Sequence, residues 1–390
     1  VGDEVEEVAF EVELGLDRGP AGDDAKEVFV RTHRVGVIGQ RLVNARGREA
    51  GVDDVAAGEV HRQAEVGEDG GECFGEDGVE VVAVADRDKD RLSGKVRPGG
   101  NIEGQAQGGF DISKVKGYTD AAELIADPNV DVVDVCLPTP AHVPFGLMAL
   151  QNNKHLLMEK PLARTSEDAQ KLVDAAKQSD KLAMPAMCMR FWPGWSWLKE
   201  AVANETYGKV LAASFRRVTS HPPGPFYADG QATGGAALDL HIHDTDFVQH
   251  LFGMPDAVSS GGYRRHTSHL DHIHTRYHYA GGPLVTAEGS WALAKGYGFS
   301  MQYTVNFEQG TAFFGQDPKH PLVLIDSTEK REPVEISSAM GYELEIDYFL
   351  DCVRTGRQPE VVTLAQAAQA VRIVEAEVTS VGSGLSERVD

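Results

Sequence analysis

The residues of this chain that could do chemistry fall into two short clusters. Glu159-Lys160-Pro161 closes the apolar run His155-Leu156-Leu157-Met158. Further on, Asp239 and His243 stand four apart in Asp239-Leu240-His241-Ile242-His243-Asp244, a spacing that predicts one shared helical face. A lysine at the end of a buried strand carries a desolvation cost that a purely structural role does not require. Its ammonium can hydrogen-bond a reacting hydroxyl and stabilise the alkoxide that develops there. His243 has the right intrinsic pKa to take the hydroxyl proton as hydride leaves carbon. Asp239 can orient that imidazole or bind a substrate hydroxyl. His241 lies on another face and is given no role. Alone, an Asp/His pair at this spacing is most often a surface contact. Thr233-Gly234-Gly235 just before the helix, and Lys160 elsewhere, raise it to a candidate catalytic set.

Hydride chemistry needs an acceptor and a fold to bind it. Arg34-Val35-Gly36-Val37-Ile38-Gly39 is an apolar strand ending in glycine, with Gly36, Ile38 and Gly39 as candidate cofactor residues. A dinucleotide fingerprint continues Gly-x-Gly-x-x-Gly; Gly39 fills its first position, but Arg41 and Asn44 stand in the second and third. The acidic residue expected about 20 residues on is Asp86, 47 residues after Gly39. Residues 40–77 are either an insertion that cradles phosphate with Arg41 and backbone amides, or a stretch read out of frame. Their Glu/Gly/Val/Ala/Arg/Asp bias and lack of lysine favour the second. Asp86 ends a strand, where its carboxylate can bind the adenosine ribose and repel a 2′-phosphate. NAD is therefore the expected cofactor, and Arg87 beside it keeps NADP open. Leu137-Pro138-Thr139-Pro140-Ala141-His142 follows the apolar strand 130–137 at its carboxyl end, where doubly wound sheets place ligands. Thr139 and His142 could there contact the nicotinamide ribose.

Strands and helices alternate up to residue 184, which predicts an α/β fold with a doubly wound parallel sheet. Beyond it, strand-like runs at 210–216, 272–279, 284–291, 301–307 and 322–325 surround one helix over 236–251. Two closing helices follow, over 342–353 and 364–381. This reads as an α+β domain on a large, mostly antiparallel open sheet. The division expected is an acidic, disordered extension at 1–31, a Rossmann domain at 32–160 with the anomalous segment 40–77, and a substrate and oligomerisation domain at 161–390. His272, His274, Arg276 and His278 share one strand face. They diverge with no second ligand element, so a polar sheet face is expected rather than a metal site. The net charge of −23 disfavours nucleic acid and anionic membranes as partners. Residues 1–30 and 40–77 together carry −14 of it. Four cysteines without paired spacing point to reduced thiols and a cytoplasmic protein. No apolar stretch reaches the ~18 residues of a membrane span.

The segments 35–39, 84–86, 137–142 and 159–161, Gly234-Gly235 with Asp239 and His243, Gly289-Ser290-Trp291 and the closing helix before Arg354-Thr355-Gly356 resemble the glucose–fructose oxidoreductase / inositol dehydrogenase / rhizopine catabolism (Gfo/Idh/MocA) family. The resemblance runs from about residue 32 to the C-terminus, apart from residues 40–77. It implies NAD(P)-linked oxidation or reduction of sugars, cyclitols and related polyols, and a homodimer or homotetramer built through the C-terminal sheet. It implies catalytic roles for Lys160 and His243 with Asp239 as partner. Glu159, Pro138, Thr139 and His142 would border the cofactor, with Arg190 near the nicotinamide or substrate. Position 241 usually holds a small residue in that family. Two other readings stand beside this one: an NAD-dependent glycosidase of the same family, and a non-catalytic ligand sensor that has lost the nucleotide loop.

Overall fold

Largely apolar runs such as Val132–Cys136, interrupted only by the buried Asp134, form strands buried on both faces, the burial that a parallel sheet covered by helices imposes. The structure is a computed structural model that describes residues 8–13, 33–39, 79–86, 89–92 and 115–389. Its first half is built from β1 (Val8–Glu13), β2 (His33–Gly39), β3 (Val79–Asp86), α1 (Lys89–Leu92), β4 (Lys116–Tyr118), α2 (Ala121–Ile125), β5 (Val132–Cys136), α3 (Thr139–Gln151), β6 (His155–Glu159), α4 (Ser166–Lys177) and β7 (Ala183–Ala186). The seven strands lie in the order β4-β3-β1-β2-β5-β6-β7. All pairs except those of β1 are parallel. Without β1 this is the 3-2-1-4-5-6 order of a doubly wound nucleotide fold, reversing between β2 and β5.

Two expectations are corrected here. Val8–Glu13, assigned to a disordered extension, is a strand that runs antiparallel between β2 and β3, with Phe10 opposite both Val37 and Val84. Its sequence alternates Val8, Phe10, Val12 with Glu11 and Glu13, the period of a strand. β2 and β3 pair directly only at His33–Val79 and Arg34–Glu80. The first domain also does not close at Lys160, because β7 pairs parallel with β6 and carries the sheet to Ala186. The anomalous segment 40–77, with Arg41 and Asn44, and also Arg87, lie outside the described residues.

After β7 come a 3₁₀ turn at Cys188–Arg190, α5 (Pro193–Ala203), β8 (Val210–Ser220) and the short helices α6 (Pro225–Ala228), α7 (Gly230–Thr233) and α8 (Gly235–Asp239). They lead into α9 (Ile242–Phe252), β9 (Ala257–Tyr263), β10 (His272–His278), β11 (Leu284–Leu293), β12 (Ser300–Phe307), β13 (Gly310–Phe314), β14 (Leu322–Asp326) and β15 (Arg331–Pro333). The chain closes with α10 (Gly341–Thr355), α11 (Leu364–Ser383) and β16 (Glu387–Arg388). The nine strands run β15-β14-β13-β12-β8-β11-β10-β9-β16, antiparallel except for β8 with β11. One face of this sheet packs on α5 and α9 through aromatic side chains. Trp195 meets Phe247 (4.8 Å between centroids, 81°) and Tyr303 (5.3 Å, 87°) edge-on, the favoured contact of two ring quadrupoles. On the opposite face His274 and Arg276 are exposed, while Ile273, Thr275 and Tyr277 point into the core.

Helix α11 holds the halves together. It packs on α4 of the first half and on α9 and β9 of the second. Glu375 on α11 accepts the Ser166 amide (2.9 Å) and hydroxyl (2.5 Å), meeting two otherwise unpaired donors at the start of α4. Thr363 and Gln366 form a reciprocal capping box that starts α11. No helix among the described residues is long and apolar enough to cross a membrane.

Candidate active site

Strand β6 is buried through Leu156, Leu157 and Met158, so its end delivers Lys160 to the carboxyl edge of the sheet. The Glu159 carboxylate accepts the Lys160 amide at 2.9 Å. The Lys160 ammonium donates to the Asp239 carbonyl at 2.8 Å and reaches the Asp239 carboxylate at 3.4 Å. These two side chains, 79 positions apart, are 19% and 15% exposed, which leaves the ammonium within reach of a ligand.

Asp239 and His243 do not lie on one continuous helix. α8 ends at Asp239 and α9 begins at Ile242. At the break the His241 amide bonds the Ala236 carbonyl (2.8 Å) and the His243 amide bonds that of Leu240 (3.4 Å). In an unbroken helix the His243 amide would take the Asp239 carbonyl. Here that carbonyl goes to Lys160 instead. Asp239 therefore contacts Lys160, one of the two residues it was expected to partner, and the single helical face expected for Asp239 and His243 is interrupted.

His243 is half-buried, and its Nδ1 is buried without a hydrogen-bond partner. Burial, then the Lys160 and Arg217 cations, push its pKa well below the ordinary histidine value. The ring is therefore neutral at physiological pH. Its neighbours on α9 are fixed by two buried ion pairs that sequence reasoning missed. Arg217 grips Asp244 bidentately (2.9 and 3.2 Å), and Arg190 grips Asp246 (2.9 and 2.6 Å). The alternation of acids in Asp244-Thr245-Asp246 and the lone arginine in Met187-Cys188-Met189-Arg190-Phe191 were the signals.

Arg190 is thus not the nicotinamide or substrate contact that the resemblance implied. Its guanidinium is buried, and its remaining donors go to the Val361 carbonyl (2.9 Å) and Gln366 (2.8 Å). Arg190→Met should destabilise the fold by about 3–5 kcal/mol, because Asp246 is left buried without its counter-charge. Denaturant unfolding measures this, and a loss below about 1 kcal/mol would show the pair to be dispensable.

His142 is corrected in the same way. It is 1% exposed, with Nδ1 2.7 Å from the Pro161 carbonyl and Nε2 2.6 Å from that of Leu137. Buried between two carbonyls, to one of which its single N–H donates when neutral, it packs between the loops after β5 and β6 rather than meeting a ribose. A further support comes from Asp271. Its carboxylate takes the Arg265, His266 and Thr267 amides and the Trp291 indole (2.6 Å), bonds that help pull its pKa down to about 2. The adjacent Leu270 carbonyl receives the Ala237 amide of α8 at 3.3 Å, so this loop buttresses the helix that carries Asp239.

The remaining candidates line one edge. Gly36, Ile38 and Gly39 belong to β2, with Gly39 opposite Cys136 in parallel register. Asp86 ends β3 and is 2% exposed. Leu137, Pro138 and Thr139 join β5 to α3, and Glu159 and Lys160 end β6. The carboxyl ends of β2, β5 and β6, at the reversal between β2 and β5, lie where a doubly wound sheet takes a dinucleotide, and β1 stands between them and the end of β3 that carries Asp86.

The comparisons agree with this geometry. The family model described as an oxidoreductase family with an NAD-binding Rossmann fold matches residues 75–187. That of the GFO/IDH/MocA C-terminal domain matches residues 195–313. The trans-1,2-dihydrobenzene-1,2-diol dehydrogenase of Sus scrofa is 27% identical over 310 residues, 76% of this chain and 87% of that protein. The scyllo-inositol 2-dehydrogenase (NAD(+)) of Bacillus subtilis is 25% identical over 318 residues, 75% and 87% of the two chains. A levoglucosan dehydrogenase solved with NADH and levoglucosan shares the fold at a TM-score of 0.64, with 20% identity over 71% of this chain and 85% of that one. Matched in both halves, the chain belongs to the GFO/IDH/MocA family of oxidoreductases, whose N-terminal half is an NAD-binding Rossmann fold.

Proposed function

We propose that this oxidoreductase uses NAD to oxidise, and in reverse to form, a secondary hydroxyl on a sugar, cyclitol or related polyol. The observation that carries the reading is the Lys160 ammonium, held by the Asp239 carbonyl and carboxylate at the edge where a dinucleotide fits. NAD, when bound, supplies the hydride acceptor for the carbon that bears the hydroxyl. Gly39, Asp86, Leu137, Thr139 and Glu159 would hold it, with Asp86 favouring NAD over NADP because a carboxylate repels a 2′-phosphate.

Lys160 donates a hydrogen bond to the reacting hydroxyl and stabilises its oxygen as negative charge develops. Asp239 keeps the ammonium aimed. Neutral His243 takes the proton that leaves this hydroxyl. The relatives act, by name, on a ring diol and a cyclitol, and both present neighbouring hydroxyls on a six-membered ring. The open sheet face with His274 and Arg276 supports assembly as a homodimer or homotetramer.

A panel of inositols, pyranoses and cyclic diols, each assayed for NADH and NADPH formation, tests the reading. At least one cyclic polyol should reduce NAD, while simple monohydric alcohols stay inert. Failure of every polyol with both cofactors would overturn it.

A further inference from the structure

His241, which sequence spacing left without a role, is fully buried at the break between α8 and α9. Its ring is held by side chains from other elements. Nε2 lies 3.4 Å from the carboxylate of Glu377 on α11 and 3.3 Å from the hydroxyl of Tyr277 on β10. Thr245 on α9 closes the cluster, donating to Glu377 at 3.1 Å and lying 3.0 Å from the Tyr277 hydroxyl. Asp244 and Arg217 are the charged groups that face the ring from α9 and β8. The ring also lies over β11, where a Cβ at Gly289 would fall 2.5 Å from the His241 Cβ. Both His241 and Glu377 are wholly inaccessible to solvent.

A buried ionisable pair is weak evidence of stability, because its desolvation offsets its attraction. A leucine at 241 would fill the core at lower cost. What the pair does supply is a fixed position for one residue, tied to α11, β10 and β11 at once. That residue sits where the helical ladder is interrupted, and the interruption frees the Asp239 carbonyl for Lys160.

We propose that His241 is the positioning residue of this site: anchored by Glu377 and Tyr277 over Gly289, it holds the α8–α9 break, so that Asp239 turns to Lys160. The inference rests on Lys160 and Asp239 forming the reacting centre, as proposed above. Without the anchor the helix closes over residues 239–243, the His243 amide takes the Asp239 carbonyl, and the ammonium loses its main support.

Three variants of the full chain test this. His241→Ala paired with Glu377→Gln removes the anchor without leaving a buried charge. It should fold, lose the contact between Lys160 Nζ and the Asp239 carbonyl in its crystal structure, and fall about 10²-fold in kcat, the order of loss for a small misplacement of catalytic groups. Its KM and NAD affinity should stay near those of the parent. His241→Gln paired with Glu377→Gln restores a neutral hydrogen-bonded anchor and should recover most of the kcat. Retention of the contact in the alanine variant, or an equal loss of kcat in both pairs, overturns the inference. Lys160→Met separates the two ideas. If it keeps its turnover the proposed reaction falls, and the crystal structure of the alanine variant still decides the anchor.

Discussion

Lys160→Met is expected to abolish measurable turnover while leaving NAD affinity within a few-fold of the parent. The ammonium is the only cation that the structure brings directly onto Asp239 among the described residues, and its two contacts hold it at the sheet edge. Methionine keeps the length and the apolar stem but donates nothing to a developing alkoxide. Loss of one such donor costs about 10²–10³-fold. Lys160 also opposes protonation of His243, so its removal should raise the pKa of that histidine and shift the acid limb towards higher pH. The measurement is steady-state NADH formation beside calorimetric titration of NAD. Turnover within tenfold of the parent would remove Lys160 from the mechanism.

The second large effect falls on His243. Its replacement by alanine should lower kcat by roughly 10²–10⁴-fold, the usual contribution of a positioned general base. The pH profile gives an independent reading. Burial and two cations hold the imidazole's pKa well below its ordinary value of 6.5, so the base is deprotonated, and active, through the neutral range. The acid limb of kcat/KM should therefore lie well below pH 6.5. Between the folded and unfolded pKa values the unfolded chain binds the extra proton, so this histidine costs stability as pH falls below 6.5, and His243→Ala should relieve that loss. An acid limb at or above pH 6.5 would point to a different base.

The strand tips were legible because a charged residue closing an apolar run leaves little choice of place. Lys160 after His155–Met158 and Asp86 after the run that precedes it both sit where the pattern put them. The parallel and antiparallel halves were legible for the same reason, from apolar runs in the first and alternation in the second. The break between Asp239 and Ile242 was not, because four-residue spacing reads as one helix, and what interrupts it is a core contact to Glu377, 136 positions later. His142 was read as a ligand contact because it follows a strand at its carboxyl end, and Arg190 because the resemblance implied it. Only their partners show otherwise, and Asp246 is 56 positions from Arg190. β9 and β13 were passed over because Gly261-Gly262 and Gly310 weaken the strand signal.

The bond from Ser166 to Glu375 spans 209 positions and joins the segment just after Lys160 to the last long helix. On the ribosome, at about 5–20 residues per second, that is a wait of about 10–40 s between the making of Ser166 and the making of Glu375. The nascent chain can complete its parallel sheet early, but the bond that ties α4 to α11 forms only after Glu375 is made. A newly made chain therefore passes through an interval in which the first sheet exists and is not yet tied to the last long helix.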